Sequence, residues 1–134
     1  LTGTYDDDHQ EDLRRTGAVT IDMVVVNLYP FEETVARPGV TVEAARGNID
    51  IGGPCMIRAS AKNFIRTASV VDPADYDKIL AHMAENGGGT RHGLRFELAR
   101  KAFNHTAAYD RAIADYLDAR SIEDVQTPYS YERT

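Results

Sequence analysis

The sequence has few of the residues that build disulfide frameworks or metal centres. Its only cysteine, Cys55, cannot form an internal disulfide, and we expect it to be buried just inside a helix rather than to act as a nucleophile. The four histidines are scattered, with no pair at the spacing of helical metal ligands, so no metal is expected. A chain that uses cysteine so little is typical of a reducing compartment, which predicts a cytoplasmic location.

Long apolar runs and excess positive charge are also absent. No run approaches the roughly 20 apolar residues that span a bilayer, so we expect no membrane association. Fifteen basic and twenty-one acidic side chains give a net charge of −6, which argues against a nucleic-acid partner because phosphate contacts need a basic face. The 134 residues, 43% of them hydrophobic, fit one globular domain.

Two short β-branched runs separated by helical patterns predict an α/β fold. Residues 21–27 are apolar almost without alternation, which is typical of a strand buried on both faces of a parallel sheet, and residues 67–71 form a second strand-like run. Strand, helix, strand and helix in that order favour a layered fold with a parallel sheet. Two parallel strands cannot bury both faces of a stable sheet, so we expect this chain to be part of a larger domain.

Turn and cap residues place the helices. Gly17 ends a surface helix, Pro54 stands at the first position of another, and residues 121–134 are interpreted as a tail or linker after a domain at 1–120. Further signals are a helix capped by Thr41, a helix from Asp72-Pro73 to about Glu85, a glycine loop at 87–89, and a long helix capped by Thr90 with an apolar packing stripe at Leu94, Leu98, Ala102, Tyr109, Ile113 and Tyr116.

Three polar residues follow hydrophobic elements in a way that suggests a site. Tyr29 stands where the first strand leaves the sheet, so its phenol could bind a heterocycle or relay a proton, although an aromatic packing role stays open. Asp50 lies between two isoleucines ahead of Gly52-Gly53, where it could be a base or a helix cap. Lys62 closes the following helix and could stabilise an oxyanion, or could simply complement the helix dipole.

These blocks closely resemble the inosine monophosphate cyclohydrolase domain of purine-biosynthesis enzymes, the bifunctional AICAR transformylase/IMP cyclohydrolases. The resemblance spans roughly residues 21–117 and includes Asn-Leu-Tyr-Pro-Phe at 27–31, Asn-Ile-Asp-Ile-Gly-Gly-Pro at 48–54, Arg-Ala-Ser-Ala-Lys-Asn at 58–63, and the segments 71–76 and 102–110. It implies a three-layer α/β/α domain with a mainly parallel sheet, of the methylglyoxal-synthase-like class. Only the later part of that domain is expected here.

The resemblance also implies an activity. The reaction is the dehydrative ring closure of 5-formamidoimidazole-4-carboxamide ribonucleotide (FAICAR) to inosine monophosphate, the last step of new purine synthesis, catalysed by a hydrolase of the cyclic-amidine class without cofactor or metal. The partners implied are a purine nucleotide substrate and a second copy in a homodimer. The family's catalytic residues fall on Tyr29, Asp50 and Lys62, and its base-contacting residues on Val26, Asn27, Ile51 and Gly52.

Two parts of the family pattern do not occur in these 134 residues. They are a phosphate-binding loop rich in serine and glycine, and an Arg-x-Lys-Thr-Leu-His-Pro segment. We therefore expect this chain alone to be inactive. A non-catalytic nucleotide-binding or dimerisation module of the same fold remains an alternative, as does an unrelated α/β regulatory domain that binds small phosphorylated ligands.

Overall fold

The structure, a computed structural model, describes residues 6–126 of the chain. Helices and strands alternate along this part, and helices dominate it. In chain order they are α1 (Asp7–Thr16), β1 (Met23–Val25), α2 (Phe31–Val35), α3 (Val42–Gly47), α4 (Gly52–Lys62), β2 (Ala68–Val70), a 3-10 turn (Pro73–Asp75), α5 (Tyr76–Glu85), α6 (His92–Asp118) and α7 (Ile122–Gln126).

The two strands form a parallel sheet, which confirms the predicted strand direction. Met23 faces Ala68 and Val25 faces Val70, and the backbone N–H of Val26 extends the ladder to the Val70 carbonyl at 3.0 Å. Strand β2 is buried throughout, whereas the Val25 side chain is 50% exposed. The prediction that the first strand is buried on both faces is therefore wrong, because the face of β1 that carries Val25 borders an open apolar groove.

Helices α4 and α6 cover the sheet and build the core. They run antiparallel, since Arg58 lies over the Phe103 ring while Phe64, just beyond the end of α4, contacts Phe96. Side chains of α4 and α6 meet the strand region in one cluster, and side chains of α5 and α6 meet it in a second. Tyr109, Ile113 and Tyr116 of α6 pack with Phe31 in a third cluster, so the predicted packing stripe on the long helix is confirmed. The buried members are Ile57, Ala61, Val71, Ala99 and Ala102 in the first cluster, and Ala68, Val70, Ile79, Leu94 and Leu98 in the second.

Most of the predicted helix signals act as expected. The Thr41 hydroxyl accepts the Ala44 N–H at 3.1 Å, and the Asp72 carboxylate accepts the Ala74 N–H at 2.9 Å beside Pro73. Gly87 and Gly88 have φ angles of +63° and +87°, which explains the glycine loop. Thr90 does not cap α6, because its carbonyl is occupied by the Arg95 guanidinium and the helix begins at His92 after Arg91.

Helix α4 departs from the sequence expectation in two ways. It begins at Gly52, so Pro54 is its third residue rather than its first, because a carboxylate just upstream already accepts the Gly53 N–H. Cys55 is exposed, and the prediction that it is buried is wrong. The reason is helical phase: Cys55 lies about 160° around the helix from the buried Ile57, at 100° per residue, and so points outward.

The described part of the chain ends with a short helix. Residues 122–126 of the segment interpreted as a tail form α7, whose start is closed by reciprocal hydrogen bonds between Ser121 and Asp124. Residues 1–5 and 127–134 lie outside the described part.

Between the sheet and α5 runs an apolar groove of about 260 Å³ that includes Val25, Val70 and Leu80. Of the described helices, none is both long and apolar enough to cross a membrane.

Candidate functional site

An open cleft of about 500 Å³ lies at the carboxyl ends of both strands. Its walls come from residues 27–33 after β1, from residues 71–73 after β2, and from His105 and Tyr109 on α6. Ligands of open parallel sheets usually bind at this edge, where successive chain segments diverge. The lining contains three carboxylates and, among the described residues, no lysine or arginine. The cleft can therefore hold a ligand's uncharged part better than a phosphate group.

Tyr29 stands at the mouth of this cleft. The strand that precedes Tyr29 cannot continue through Pro30, because proline has no backbone N–H to donate to a neighbouring strand. Helix α2 begins at the next residue, Phe31. The Tyr29 side chain is 56% exposed, and its hydroxyl makes no hydrogen bond with residues 6–126. Tyr29 therefore does not have the aromatic packing role that the sequence left open; Phe31, which is 1% exposed, packs in the core instead. The Tyr29 phenol is thus free to contact a ligand.

Asp50 is held directly behind the cleft wall by backbone donors. Its Oδ1 atom accepts the Gly53 N–H at 2.7 Å, and its Oδ2 atom accepts the Tyr29 N–H at a weaker 3.4 Å. Asp50 is therefore a helix cap, one of the two roles left open by the sequence, and it is also the link between α4 and Tyr29. The long contact leaves Oδ2 with capacity for a further donor, which a base needs.

Gly53 makes this arrangement possible. A Cβ atom at this position would lie 2.6 Å from Oδ2 of Asp50 and 2.6 Å from a methyl carbon of Leu28, closer than real contacts allow. At the neighbouring Gly52, a Cβ atom would meet nothing within 4 Å. The two glycines of the motif thus differ in role: the second permits the close approach of Asp50, while the first is open to solvent.

Tyr109 joins helix α6 to the turn that carries Asp50. Its hydroxyl accepts the Asp50 N–H at 2.9 Å and donates to the Asn48 carbonyl at 3.1 Å. The side chain is 6% exposed, and its ring packs edge-on against Phe31 at 6.2 Å. Burial raises the pKa of the Tyr109 phenol above its usual value, so this hydroxyl stays protonated and keeps its donor.

Helix α6 brings two further polar groups to the same edge of the sheet. Lys101, His105 and Tyr109 are spaced by four residues and so share one face of the helix. The Lys101 ammonium donates to Asp72 and Asp75, each at 2.7 Å, and His105 lines the cleft. The hydrogen bond from Lys101 lowers the pKa of Asp72, and the same bond raises the pKa of Lys101.

Sequence reasoning did not assign Asp72, His105 and Tyr109 to the site. The sequence predicts a helix cap at Asp72 and a packing residue at Tyr109, and each does have that role as well. Two signals could have found them. Asp72 comes just after the second strand, as Asn27 comes just after the first, and the lysine, histidine and tyrosine of α6 repeat at one helical spacing.

Lys62 lies away from these groups. It is the last residue of α4, so about 15 Å of helix separates its backbone from Gly52, at 1.5 Å per residue. Its side chain is exposed and makes no ion pair with residues 6–126. The structure thus brings Tyr29 and Asp50 together and leaves Lys62 at the opposite end of the helix.

The four residues expected to contact a base are divided between the cleft and the outer surface. Asn27 lines the cleft. Val26 is partly buried against the core, and its N–H is used by the sheet, which leaves only its carbonyl for a ligand. Ile51 is 74% exposed beside the exposed Gly52, at the start of α4. Of the four, Asn27 is thus the residue that lines the cleft.

A second depression, of about 370 Å³, lies at the opposite end of the sheet beside α1. Its two cations, Arg15 and Arg66, form ion pairs with Asp12 and Asp22, and its walls are otherwise largely apolar. We place the candidate site at the carboxyl edge instead, because polar groups from both strands and α6 converge there. Within residues 6–126, no group of three His, Cys, Asp or Glu side chains is arranged to hold a metal ion.

Comparison with known proteins relates the chain to purine biosynthesis. The family described as AICARFT/IMPCHase bienzyme matches residues 60–134. The bifunctional purine biosynthesis protein PurH of Synechococcus sp. (strain CC9605) is 54% identical over 112 residues, which cover 84% of this chain and 22% of that protein. PurH of Sorangium cellulosum (strain So ce56) is 50% identical over 133 residues, which cover 99% of this chain and 24% of that protein.

A solved structure, described as the crystal structure of ForH, is similar in fold. It superposes with a TM-score of 0.75 at 33% identity, over 85% of this chain and 59% of the ForH chain. The chain thus spans about a quarter of the length of the PurH proteins and somewhat over half of the ForH chain.

Proposed function

Because the chain belongs to the AICARFT/IMPCHase bienzyme family, we propose that it carries part of an inosine monophosphate cyclohydrolase site. The reaction would be the ring closure of FAICAR to inosine monophosphate with loss of water. The observation that carries the proposal is the Asp50 carboxylate, fixed at the start of α4 beside Tyr29 and the cleft at the carboxyl ends of the strands.

The chemistry requires a base and a donor close together. The carboxamide nitrogen attacks the formyl carbon and loses one proton to a base, while a donor protonates the formyl oxygen. The C–O bond then breaks as the formamido nitrogen loses its proton and forms a C=N bond, so the oxygen leaves as water with one hydrogen from each nitrogen. Asp50 supplies the base through Oδ2. The Tyr29 hydroxyl, exposed at the mouth of the cleft, supplies a donor to the oxygen. Asn27 and the carbonyl of Val26 then contact the heterocycle from the strand side.

Lys62 enters this proposal as the cation that stabilises the developing oxyanion, in addition to the Tyr29 hydroxyl. It cannot contact Asp50 directly, because the length of α4 separates them. The outward face of α4 nevertheless connects the two ends: Gly52, Cys55, Ala59 and Lys62 are all exposed and lie within about 80° around the helix. The side chains between Gly52 and Lys62 on this face are small, so they leave space for the long Lys62 side chain to extend along it toward the reacting oxygen of a ligand held beside Ile51 and Gly52.

The remainder of the site belongs, in this proposal, to further parts of the protein. The cleft offers no lysine or arginine for the nucleotide phosphate within the described residues, and β1 has a free edge there. We propose that additional strands complete a three-layer α/β/α sheet of the methylglyoxal-synthase-like class and bring the phosphate-binding loop. A cytoplasmic homodimer acting on a nucleotide, without cofactor, nucleic acid or membrane, completes the proposal.

The lack of a lysine or arginine in the lining of the cleft also supports a second candidate function. A cleft without phosphate-binding cations could equally belong to a non-catalytic nucleotide-binding or dimerisation module of this fold. That module would keep the hydrogen bonds around Asp50 for stability alone. It would bind inosine monophosphate, or a second copy, without forming product.

The test is an ultraviolet assay of inosine monophosphate formation from FAICAR. It is run on this chain and on a version extended upstream by its own coding sequence. Activity in the extended protein alone supports a cyclohydrolase of which this chain is a part. Absence of activity in both, with inosine monophosphate still bound in calorimetry, supports the non-catalytic module.

A further inference from the structure

The hydroxyl of Tyr109 contacts two backbone groups of one short turn. It donates to the Asn48 carbonyl at 3.1 Å and accepts the Asp50 N–H at 2.9 Å, and both partners are about sixty residues away in sequence. Ile49, between them, packs in the same apolar cluster as the Tyr109 ring. One side chain of α6 therefore fixes the backbone on both sides of Ile49.

The geometry points to Tyr109 as a positioning residue for Asp50, and we propose that its hydroxyl holds the Asp50 carboxylate in the orientation that the reaction uses. This inference rests on the proposed function. The Asp50 side chain follows a backbone segment that has no regular structure of its own, since α3 ends at Gly47 and α4 begins at Gly52. Without the Tyr109 hydroxyl, the Asp50 N–H has no other partner within residues 6–126.

The ring of Tyr109 has a separate structural role, and the two roles can be separated. The ring packs on Phe31, as does the ring of Tyr116, at 6.2 Å and 5.8 Å respectively. The Tyr116 hydroxyl is buried and has no hydrogen-bond partner in the described part of the chain. Tyr116→Phe on the same helix is therefore a matched control for Tyr109→Phe, because each substitution keeps a ring against Phe31 and removes one hydroxyl.

The first readout is hydrogen exchange of the upstream-extended protein, measured by mass spectrometry on peptides that cover residues 48–53. In Tyr109→Phe, the amides of Asp50 and Gly53 should exchange at least about tenfold faster, because a lost hydrogen bond to a buried group lowers protection by roughly that factor. Tyr116→Phe should leave both rates unchanged. Unchanged rates in Tyr109→Phe would overturn the inference, whether or not the protein is a cyclohydrolase.

The second readout is steady-state kinetics of inosine monophosphate formation by the same protein. A displaced base lowers turnover more than binding, so Tyr109→Phe should lower kcat by about 10- to 100-fold and leave KM within about threefold. Faster exchange with an unchanged kcat would also overturn the inference, because Tyr109 would then serve stability alone. Failure of the wild-type protein to form product would contradict the proposed function instead, and the exchange rates would still decide whether Tyr109 holds Asp50.

Discussion

The two ends of helix α4 are built in different ways. At its start, the Asp50 carboxylate accepts two backbone N–H groups, and its own N–H is held by a buried tyrosine on α6. At its end, Lys62 extends into solvent and makes no ion pair with the described residues. We call these the aspartate end and the lysine end of α4.

The difference separates a fixed group from an adjustable one. A carboxylate with defined donors keeps one orientation, so it can be aimed at a particular proton before a ligand arrives. A solvated lysine has several rotatable bonds and loses conformational freedom whenever it is placed. The aspartate end is therefore suited to proton transfer, whereas the lysine end is suited to adding charge once a ligand is bound.

The comparison is tested most strongly at Asp50. Asp50→Asn keeps the size of the side chain but replaces a proton acceptor with an amide. Loss of a general base typically lowers turnover by about 10²- to 10⁴-fold, and we expect a kcat for inosine monophosphate formation in that range with a smaller change in KM. The measurement is the ultraviolet assay on the upstream-extended protein.

Asp118→Asn is the control for this variant. Asp118 is the exposed last residue of α6 and lies far along the helix from the cleft. Its substitution should leave kcat within about twofold of the wild-type value, because solvated surface charges have little effect. An Asp50→Asn variant that keeps most of its turnover would show that the aspartate end is a helix cap and no more.

Lys62→Ala tests the other end. We expect kcat to fall by about 10- to 100-fold while ligand affinity changes little, because a donor to the oxyanion acts mainly in the transition state. Lys78→Ala, at an exposed lysine of α5, is the control and should change neither quantity. Equal losses of turnover and affinity would instead identify Lys62 as a residue that positions the ligand.

The sequence predicted most of the local structure and part of the site. Caps at Thr41 and Asp72 and the glycine loop follow from single side chains, so they could be predicted residue by residue. Tyr29 and Asp50 could be singled out because each follows an apolar element. Tyr109 could not be recognised as a partner of Asp50, because their contact depends on how α6 docks, which no local pattern records.

The exposure of β1 and of Cys55 could not be predicted from the sequence either. A β-branched run predicts a strand, but whether both faces of that strand are covered depends on which elements pack on the sheet. A cysteine in a helix is buried or exposed according to the phase at which that helix packs. Both errors come from tertiary arrangement rather than from propensity.

The glycine pair at the aspartate end gives a comparison in stability. Gly53→Ala places a methyl group against the Asp50 carboxylate and Leu28, and such overpacking should lower the free energy of unfolding by about 1–3 kcal/mol. Gly52→Ala, one residue earlier, has open space and should be neutral or stabilising by up to about 1 kcal/mol, since alanine favours a helix. Urea denaturation of both variants measures the difference, and equal stabilities would mean that Asp50 moves aside without cost.

The smallest expected effect concerns the ion pairs that Lys101 forms beside the cleft. Lys101→Met removes the ammonium that donates to Asp72 and Asp75 but keeps an unbranched, apolar side chain. The lowered pKa of Asp72 stabilises the fold above the usual aspartate pKa of about 3.9, and this contribution is lost as the pH falls through the lower folded value. The raised pKa of Lys101 stabilises the fold below about 10.4, and this contribution is lost as the pH rises through the higher folded value.

The wild-type chain should therefore exceed the Lys101→Met variant in unfolding free energy by a small, constant amount between about pH 5 and pH 9, with the difference shrinking on both sides. Urea titrations across this range measure it. Lys78→Met, which removes an exposed single ion pair to Glu97, should show almost no difference at any pH. A difference for Lys101→Met that stays constant from pH 2 to pH 11 would assign the effect to packing of the lysine methylenes rather than to the ion pairs with Asp72 and Asp75.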